Sequence, residues 1–196
     1  MRRFLRRFLV ASAVIALVGL TALPAQATTV NVADFSFSPQ SLTIAQGGTV
    51  SWHNNGPSVH TSTQDSPLSM WNTGNIAVNA TSASIALPAA GVYSYHCAIH
   101  AFMTGTVKVP IRVSPTSGTT ATTFTITLVS ATQSGFTYDI QRKVGSGSFA
   151  TWRTGVTTRT VTFRGSAGTY AFRSRLHRTS NGATSGYSPA KTITVS

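Results

Sequence analysis

Beyond residue 27 the apolar residues fall in short runs rich in valine, isoleucine, threonine and aromatic side chains, and glycine, proline or asparagine interrupts them. Helical periodicity is scarce. Short runs of this composition, closed by turn residues, form strands. The expected fold class is therefore all-β. VNVADFSF, SLTI, TVSWHN, SASIAL, VYSYHC and GTVKV are the candidate strands up to Val109. Pro110 cannot donate to a ladder and marks a boundary. TFTITLV, FTYDIQRK, a stretch around Phe149 to Arg153, RTVTFR, TYAFRSRL and KTITV follow. Between Tyr170 and His177 the two-residue period puts Tyr170, Phe172 and Leu176 on one face. Ala171, Arg173, Arg175 and His177 fall on the other, so one face meets a core and one meets water.

The chain opens MRRFLRRFLVASAVIALVGLTALPAQA. A basic head, an apolar middle and an A-x-A end read as a secretory signal over residues 1–27, cleaved after Ala27. The apolar run is short for a bilayer span of ~20 residues. The expected location is secreted or extracytoplasmic, at a bacterial cell surface or in a periplasm. Charge divides the remainder. Residues 28–109 carry Lys108 against Asp34 and Asp65, whereas residues 110–196 carry ten lysines and arginines against Asp139 alone. Two domains are expected, over 28–110 and 111–196.

The three aspartates are the only acids, and there is no glutamate. Enzymes that need paired carboxylates, such as glycosidases, are disfavoured, and so are oxygen-rich calcium sites. Cys97 is the only cysteine, so no internal disulfide can form. An unpaired cysteine in an exported protein calls for intermolecular pairing or chemistry. Its surroundings, YHCAIHAFMTG, place Cys97, His100 and Met103 three residues apart. A compact loop can turn all three side chains toward one point. Thiolate, imidazole and thioether together suit copper in either of its oxidation states. A second histidine must come from elsewhere. His96 adjoins Cys97 on a strand and should point away. His53 alternates within a strand, and His177 lies in the basic half. His60, after a turn-rich segment, is the best candidate. The competing readings are a buried structural cysteine, a zinc site, for which methionine is a poor ligand, and a cysteine–histidine nucleophile, for which no orienting acid or amide is apparent near the motif.

FSFSPQSLTIAQGGTVSWHNN, then His60, then AAGVYSYHCAIHAFMTGTVKV resemble the small blue copper proteins, the cupredoxins, over nearly all of residues 29–109. The short Cys-x2-His-x2-Met loop is similar to that of amicyanin-like members. The resemblance implies an eight-stranded Greek-key sandwich holding one copper ion per chain at one end. It implies His60, Cys97, His100 and Met103 as metal ligands. Thr61 sits where relatives often carry an asparagine that ties the first ligand strand to the ligand loop. Ala98, Phe102 and Pro57 are the other expected neighbours of the site, with Phe102 and Pro57 either in the core or forming an apolar rim around the exposed edge of His100. The implied function is that of an exported type 1 copper protein, a one-electron carrier cycling between Cu(I) and Cu(II) and not an enzyme. The alternative is a cell-surface module that holds or delivers copper, anchored by the basic half. A multicopper oxidase would need His-x-His pairs, and none occur.

GTYAFRSRLHRTSNGATSGYSPAKTITV resembles the end of a fibronectin type III domain, an immunoglobulin-like sandwich, over residues 112–196. Arg159, Arg164, Arg173, Arg175 and Arg178 are candidates for binding an anionic wall polymer, a phospholipid surface or an acidic redox partner. The plainer alternative is a solvated face. Without aromatic interleaving on that face, nucleic acid is not an expected partner. The redox protein served is unidentified, and a monomer is expected.

Overall fold

A computed structural model describes residues 27–196. The expected export signal lies, apart from Ala27, outside the described residues. Every regular element among the described residues is a strand, so the chain is all-β.

Among the described residues eight strands precede Pro110. They are β1 (Ala27–Ala33), β2 (Ser36–Ser38), β3 (Ser41–Thr43), β4 (Gly48–Asn54), β5 (Thr63–Gln64), β6 (Ile85–Leu87), β7 (Gly91–His96) and β8 (Thr104–Val109). They build two four-stranded sheets, ordered β2-β1-β4-β6 and β3-β8-β7-β5. The pairs β1–β4 and β3–β8 run parallel and the others antiparallel. Side chains alternate along each strand. Val30 and Val32 of β1, Val50 and Trp52 of β4, Tyr93 and Tyr95 of β7 and Val107 and Val109 of β8 are all buried and share one core. Trp52 stacks on Trp71 at 5.8 Å and meets the edge of Tyr95 at 5.3 Å, while Phe37 meets Tyr95 at 4.8 Å. Each such pair adds about 0.5–1.5 kcal/mol beyond the area it buries. Gly105 lies opposite Tyr95 in the ladder, and a Cβ there would collide with the Tyr95 ring. Only glycine leaves room for that ring two residues before Cys97.

One candidate strand is two. VNVADFSF breaks at Asp34-Phe35, and β1 and β2 pair antiparallel, with Asn31 opposite Ser38 and Ala33 opposite Ser36. The turn contains neither glycine nor proline. Its side chains are instead anchored at the opposite end of a long-range contact, described below. β5 also has no strong local signal, being two residues long and defined by its pairing with His96 and Tyr95.

The second half adds β9 (Arg112–Ser114), β10 (Ser117–Gly118), β11 (Phe124–Thr127), β12 (Phe136–Val144), β13 (Ala150–Val156), β14 (Thr160–Phe163), β15 (Gly168–Arg178) and β16 (Lys191–Val195). The sheets are β14-β11-β9 and β10-β16-β15-β12-β13. Tyr170, Phe172 and Leu176 of β15 are buried, and Arg173, Arg175 and His177 are half-buried on its other face, whereas Ala171, expected to meet water with them, is buried.

The halves are stitched together. Val92 and Gly186 exchange both backbone hydrogen bonds at 2.9 Å, and the Ala90 amide donates to the Leu128 carbonyl at 2.9 Å. Arg178 Nη2 donates to the Leu68 carbonyl at 2.8 Å, and Gln46 Nε2 to the Thr127 carbonyl at 2.8 Å. One contiguous hydrophobic core runs through both halves, with Ala89, Ala90, Ile111, Leu128 and Val129 at the junction.

Candidate metal centre

Two loops and one turn meet at the end of the first sandwich. The first loop leaves β4 at Asn54 and returns to His60. Asn54 is fully buried and knits the loop together. Its Nδ2 donates to the carbonyls of Ser58 at 2.7 Å and Ile76 at 3.0 Å, and its Oδ1 accepts the Gly56 amide at 3.0 Å. The His60 amide donates to the Ile76 carbonyl at 3.3 Å and the Ile76 amide to the His60 carbonyl at 2.7 Å. The second loop leaves β7 at His96 and re-enters β8 at Thr104. The Cys97 amide donates to the Met103 carbonyl at 3.0 Å, and the Met103 amide to the His100 carbonyl at 2.8 Å. The loop is thus closed on itself, and its three-residue spacing becomes a cluster.

His60 Nδ1 lies 3.8 Å and His100 Nδ1 3.7 Å from Cys97 Sγ, and the two ring nitrogens are 3.3 Å apart. All three donor atoms fall within 4.8 Å of one another. Burial pushes the Cys97 thiol up, but backbone hydrogen bonds, those from the Thr61 and His100 amides foremost, outweigh it and bring the thiol down to about 6. That lowering favours the thiolate, and the Thr61 amide donates to the sulfur at 3.3 Å. The other nitrogen of His60, Nε2, sits 2.8 Å from Asp34 Oδ1, and Ser58 Oγ donates to Asp34 Oδ2 at 2.7 Å. Those two contacts, Ser58 first, hold the Asp34 carboxyl below its ordinary value. A thiolate and two imidazole nitrogens converging on one point fit a single copper ion.

Met103 is buried in the same loop, 2% exposed. Thr61 Oγ1 accepts the Ala98 amide at 2.7 Å, tying the two loops together beside the sulfur. Phe102 is 72% exposed, its ring 6.3 Å from that of His100, and Pro57 is exposed in the His60 loop. Asp34, Phe35, Asn54 and Ser58 were not among the residues that spacing singles out. Phe35, 49% exposed, meets the His100 ring edge-on at 4.8 Å and Phe102 at 5.6 Å. The available signal was compositional: Asp34 is one of three acids in the chain and interrupts an apolar run.

Each of those acids contacts a different histidine. Asp34 holds His60, Asp65 meets His96 Nδ1 at 2.7 Å, and Asp139 approaches His177 Nδ1 at 3.4 Å. His53 Nδ1 is 2.8 Å from Thr81 Oγ1. Of the five histidines only His60 and His100 face Cys97.

The five arginines divide between two sheets. Arg159 and Arg164 flank β14, and Arg164 Nε donates to Thr123 Oγ1 at 2.6 Å. Arg173 and Arg175 lie on the outer face of β15. Arg173 forks onto Gln141 Oε1 and stacks over Phe149 at 4.1 Å and Tyr187 at 4.9 Å. Arg175 pairs with Asp139 at 3.0 Å. Arg178 turns inward to Leu68 and lies 3.7 Å from Met70 Sδ.

Among solved structures the chain is similar to a purple cupredoxin from Nitrosopumilus maritimus, at 22% identity over 41% of this chain and 97% of that one, with a TM-score of 0.39. It is similar to the reduced Cu(I) form, at pH 4, of a point mutant of amicyanin, at 27% identity over 46% of this chain and 86% of that one, with a TM-score of 0.38. It is also similar to a copper-containing nitrite reductase from Thermus scotoductus, at 26% identity over 48% of this chain and 24% of that one, with a TM-score of 0.41. No curated protein matches. The model of the cupredoxin-like domain matches residues 8–109, a little over half of the 196 residues. That span contains all three converging donors and the loops that carry them, and the chain belongs to the cupredoxin-like family.

Proposed function

We propose that this protein is an exported one-electron carrier built on a blue copper site, without an enzymatic turnover of its own. The observation that carries the reading is the asymmetry of the two imidazoles. His60 is wholly buried and locked, whereas His100 is half-exposed beneath Phe35 and Phe102. Bound copper supplies a one-electron couple. Cys97 supplies the thiolate, His60 and His100 the imidazole nitrogens, and Met103 a weaker thioether ligand. The locked loops keep the donors in place in either oxidation state, which suits electron transfer. The half-exposed edge of His100, with its apolar rim of Phe35, Phe102 and Pro57, is where a redox protein docks. Thr61 and Ala98 hold the loops in register.

Residues 111–196 form a fibronectin type III-like module in this reading. In support, the hydroxyls of Ser185 and Ser188 accept the amides of Leu176 at 3.0 Å and Ser174 at 3.1 Å, pinning the final loop to β15. The module's formal charge makes an anionic wall polymer or membrane surface its natural contact, through Arg159, Arg164, Arg173 and Arg175. Arg178, turned inward, is the least available of the five. Export is supported by the basic, apolar and A-x-A segments before Thr28.

Visible and electron paramagnetic resonance spectra of the protein reconstituted with Cu(II) test the site. An intense blue colour at one copper per chain is expected, and a colourless product would refute it. Stopped-flow oxidation beside a chelator-release assay tests the carrier role. Fast copper release with sluggish electron exchange would instead assign copper delivery.

A further inference from the structure

We propose that Asp34 is a positioning residue of the metal centre, orienting His60 and biasing the site toward the more highly charged oxidation state of its metal. The inference rests on the copper reading above.

An ionised carboxylate can only accept hydrogen bonds. His60 Nε2, 2.8 Å from Asp34 Oδ1, therefore carries the ring proton, and Nδ1 is left with its lone pair toward Cys97 and His100. The His60 side chain is 0% exposed, so bulk water does not reach Nε2 to take the place of the carboxylate. Asp34 is itself held from behind by Ser58 Oγ at 2.7 Å. Space is reserved for it: a Cβ on Gly56 would lie 2.6 Å from Asp34 Oδ1. Ser58, Asp34 and His60 thus form a chain of contacts that ends at the donor cluster. It originates in a hairpin turn that otherwise contributes no donor atom.

The charge matters as well as the geometry. The chain has three acids and a formal charge of +12, yet one of those acids is placed against this ligand. A carboxylate on the far nitrogen makes an imidazole a stronger donor. By Coulomb's law it also stabilises a doubly charged ion more than a singly charged one. Among the described residues no carboxylate pairs with His100, whose ring meets Phe35 and Phe102 instead. The two imidazole ligands are therefore inequivalent by construction.

Asp34→Asn keeps the size and an acceptor for the Nε2 proton and removes the charge. Asp34→Ala removes both. Cu(II) and Cu(I) affinities by chelator competition, the reduction potential, and the His60 tautomer by nitrogen NMR of the metal-free protein are the measurements. Asp34→Asn is expected to bind Cu(II) about 10–100-fold more weakly, with a smaller loss for Cu(I). Its potential should rise by about 59 mV for each tenfold of preferential Cu(II) loss. Asp34→Ala is expected to lose the fixed Nε2-protonated tautomer as well. A blue wild type with an unchanged potential in Asp34→Asn would overturn the electrostatic role. An unchanged tautomer in Asp34→Ala would overturn the orienting role. If the wild type takes no copper but the tautomer responds to Asp34→Ala, the copper reading fails while the positioning of His60 by Asp34 stands.

Discussion

The hydroxyl of Thr61 accepts the amide of Ala98 at 2.7 Å, while the amide of Thr61 donates to the Cys97 sulfur at 3.3 Å. One residue of the His60 loop therefore holds two successive residues of the other loop. Thr61→Ala should remove the hydroxyl tie and leave the sulfur its amide donor. A hydrogen bond of this kind contributes about 0.5–1.5 kcal/mol. Denaturant unfolding of the metal-free variant should show a loss of that size, and Thr61→Ser should restore it. An undiminished stability in Thr61→Ala would show that the loops hold together without the tie.

Cys97→Ser should abolish the intense colour of the copper-loaded protein, because no thiolate remains to bond the metal. The fold should persist. A hydroxyl is close to a thiol in size, and the Thr61 amide can donate to it. Far-ultraviolet circular dichroism checks the fold and the visible spectrum checks the site. A Cys97→Ser variant that stays blue would place the chromophore elsewhere.

In the metal-free protein the Cys97 thiol should titrate near 6, against an ordinary value of 9.0. Because the folded value lies below the unfolded one, the thiolate's donors stabilise the fold fully only above about 9. That contribution is lost as pH falls through about 6. Ultraviolet thiolate absorbance as a function of pH reads the titration directly. A thiol still protonated at neutral pH would remove the preformed thiolate from the site.

The shared core and the strand-to-strand contacts between the halves predict one cooperative unfolding transition. Calorimetric and van't Hoff enthalpies should agree for the metal-free protein. Two resolved transitions would mean that the junction contributes little.

Arg178→Ala should lower stability by about 2 kcal/mol, the range for a hydrogen bond from a charged group. It loses the bond to the Leu68 carbonyl and the stacking over Phe136 at 4.9 Å. Urea midpoints at unchanged slope measure the effect. The variant's midpoint should fall, and an unmoved midpoint would make the contact incidental.

The sequence by itself determined the all-β class, the alternating faces of β15 and the compact loop that brings Cys97 and His100 together. These depend on local physics: side-chain period, turn chemistry and the reach of three residues. Only the tertiary structure separates Arg178, turned inward to Leu68, from Arg173 and Arg175 on the outer face. Composition isolated Asp34 as a rare acid but could not say what it touches. Only the tertiary structure decided that VNVADFSF folds back at Asp34-Phe35, because its anchors lie outside the segment. Asp34 finds His60 26 residues away, and Phe35 packs on His100 across the opening of the site. The loop around Asn54 likewise closes onto Ile76, 22 positions on. The join between the halves, with Arg178 reaching Leu68 over 110 positions, is a matter of packing. Contacts of that separation leave no period in the chain, so they emerge only when the sheets are brought together.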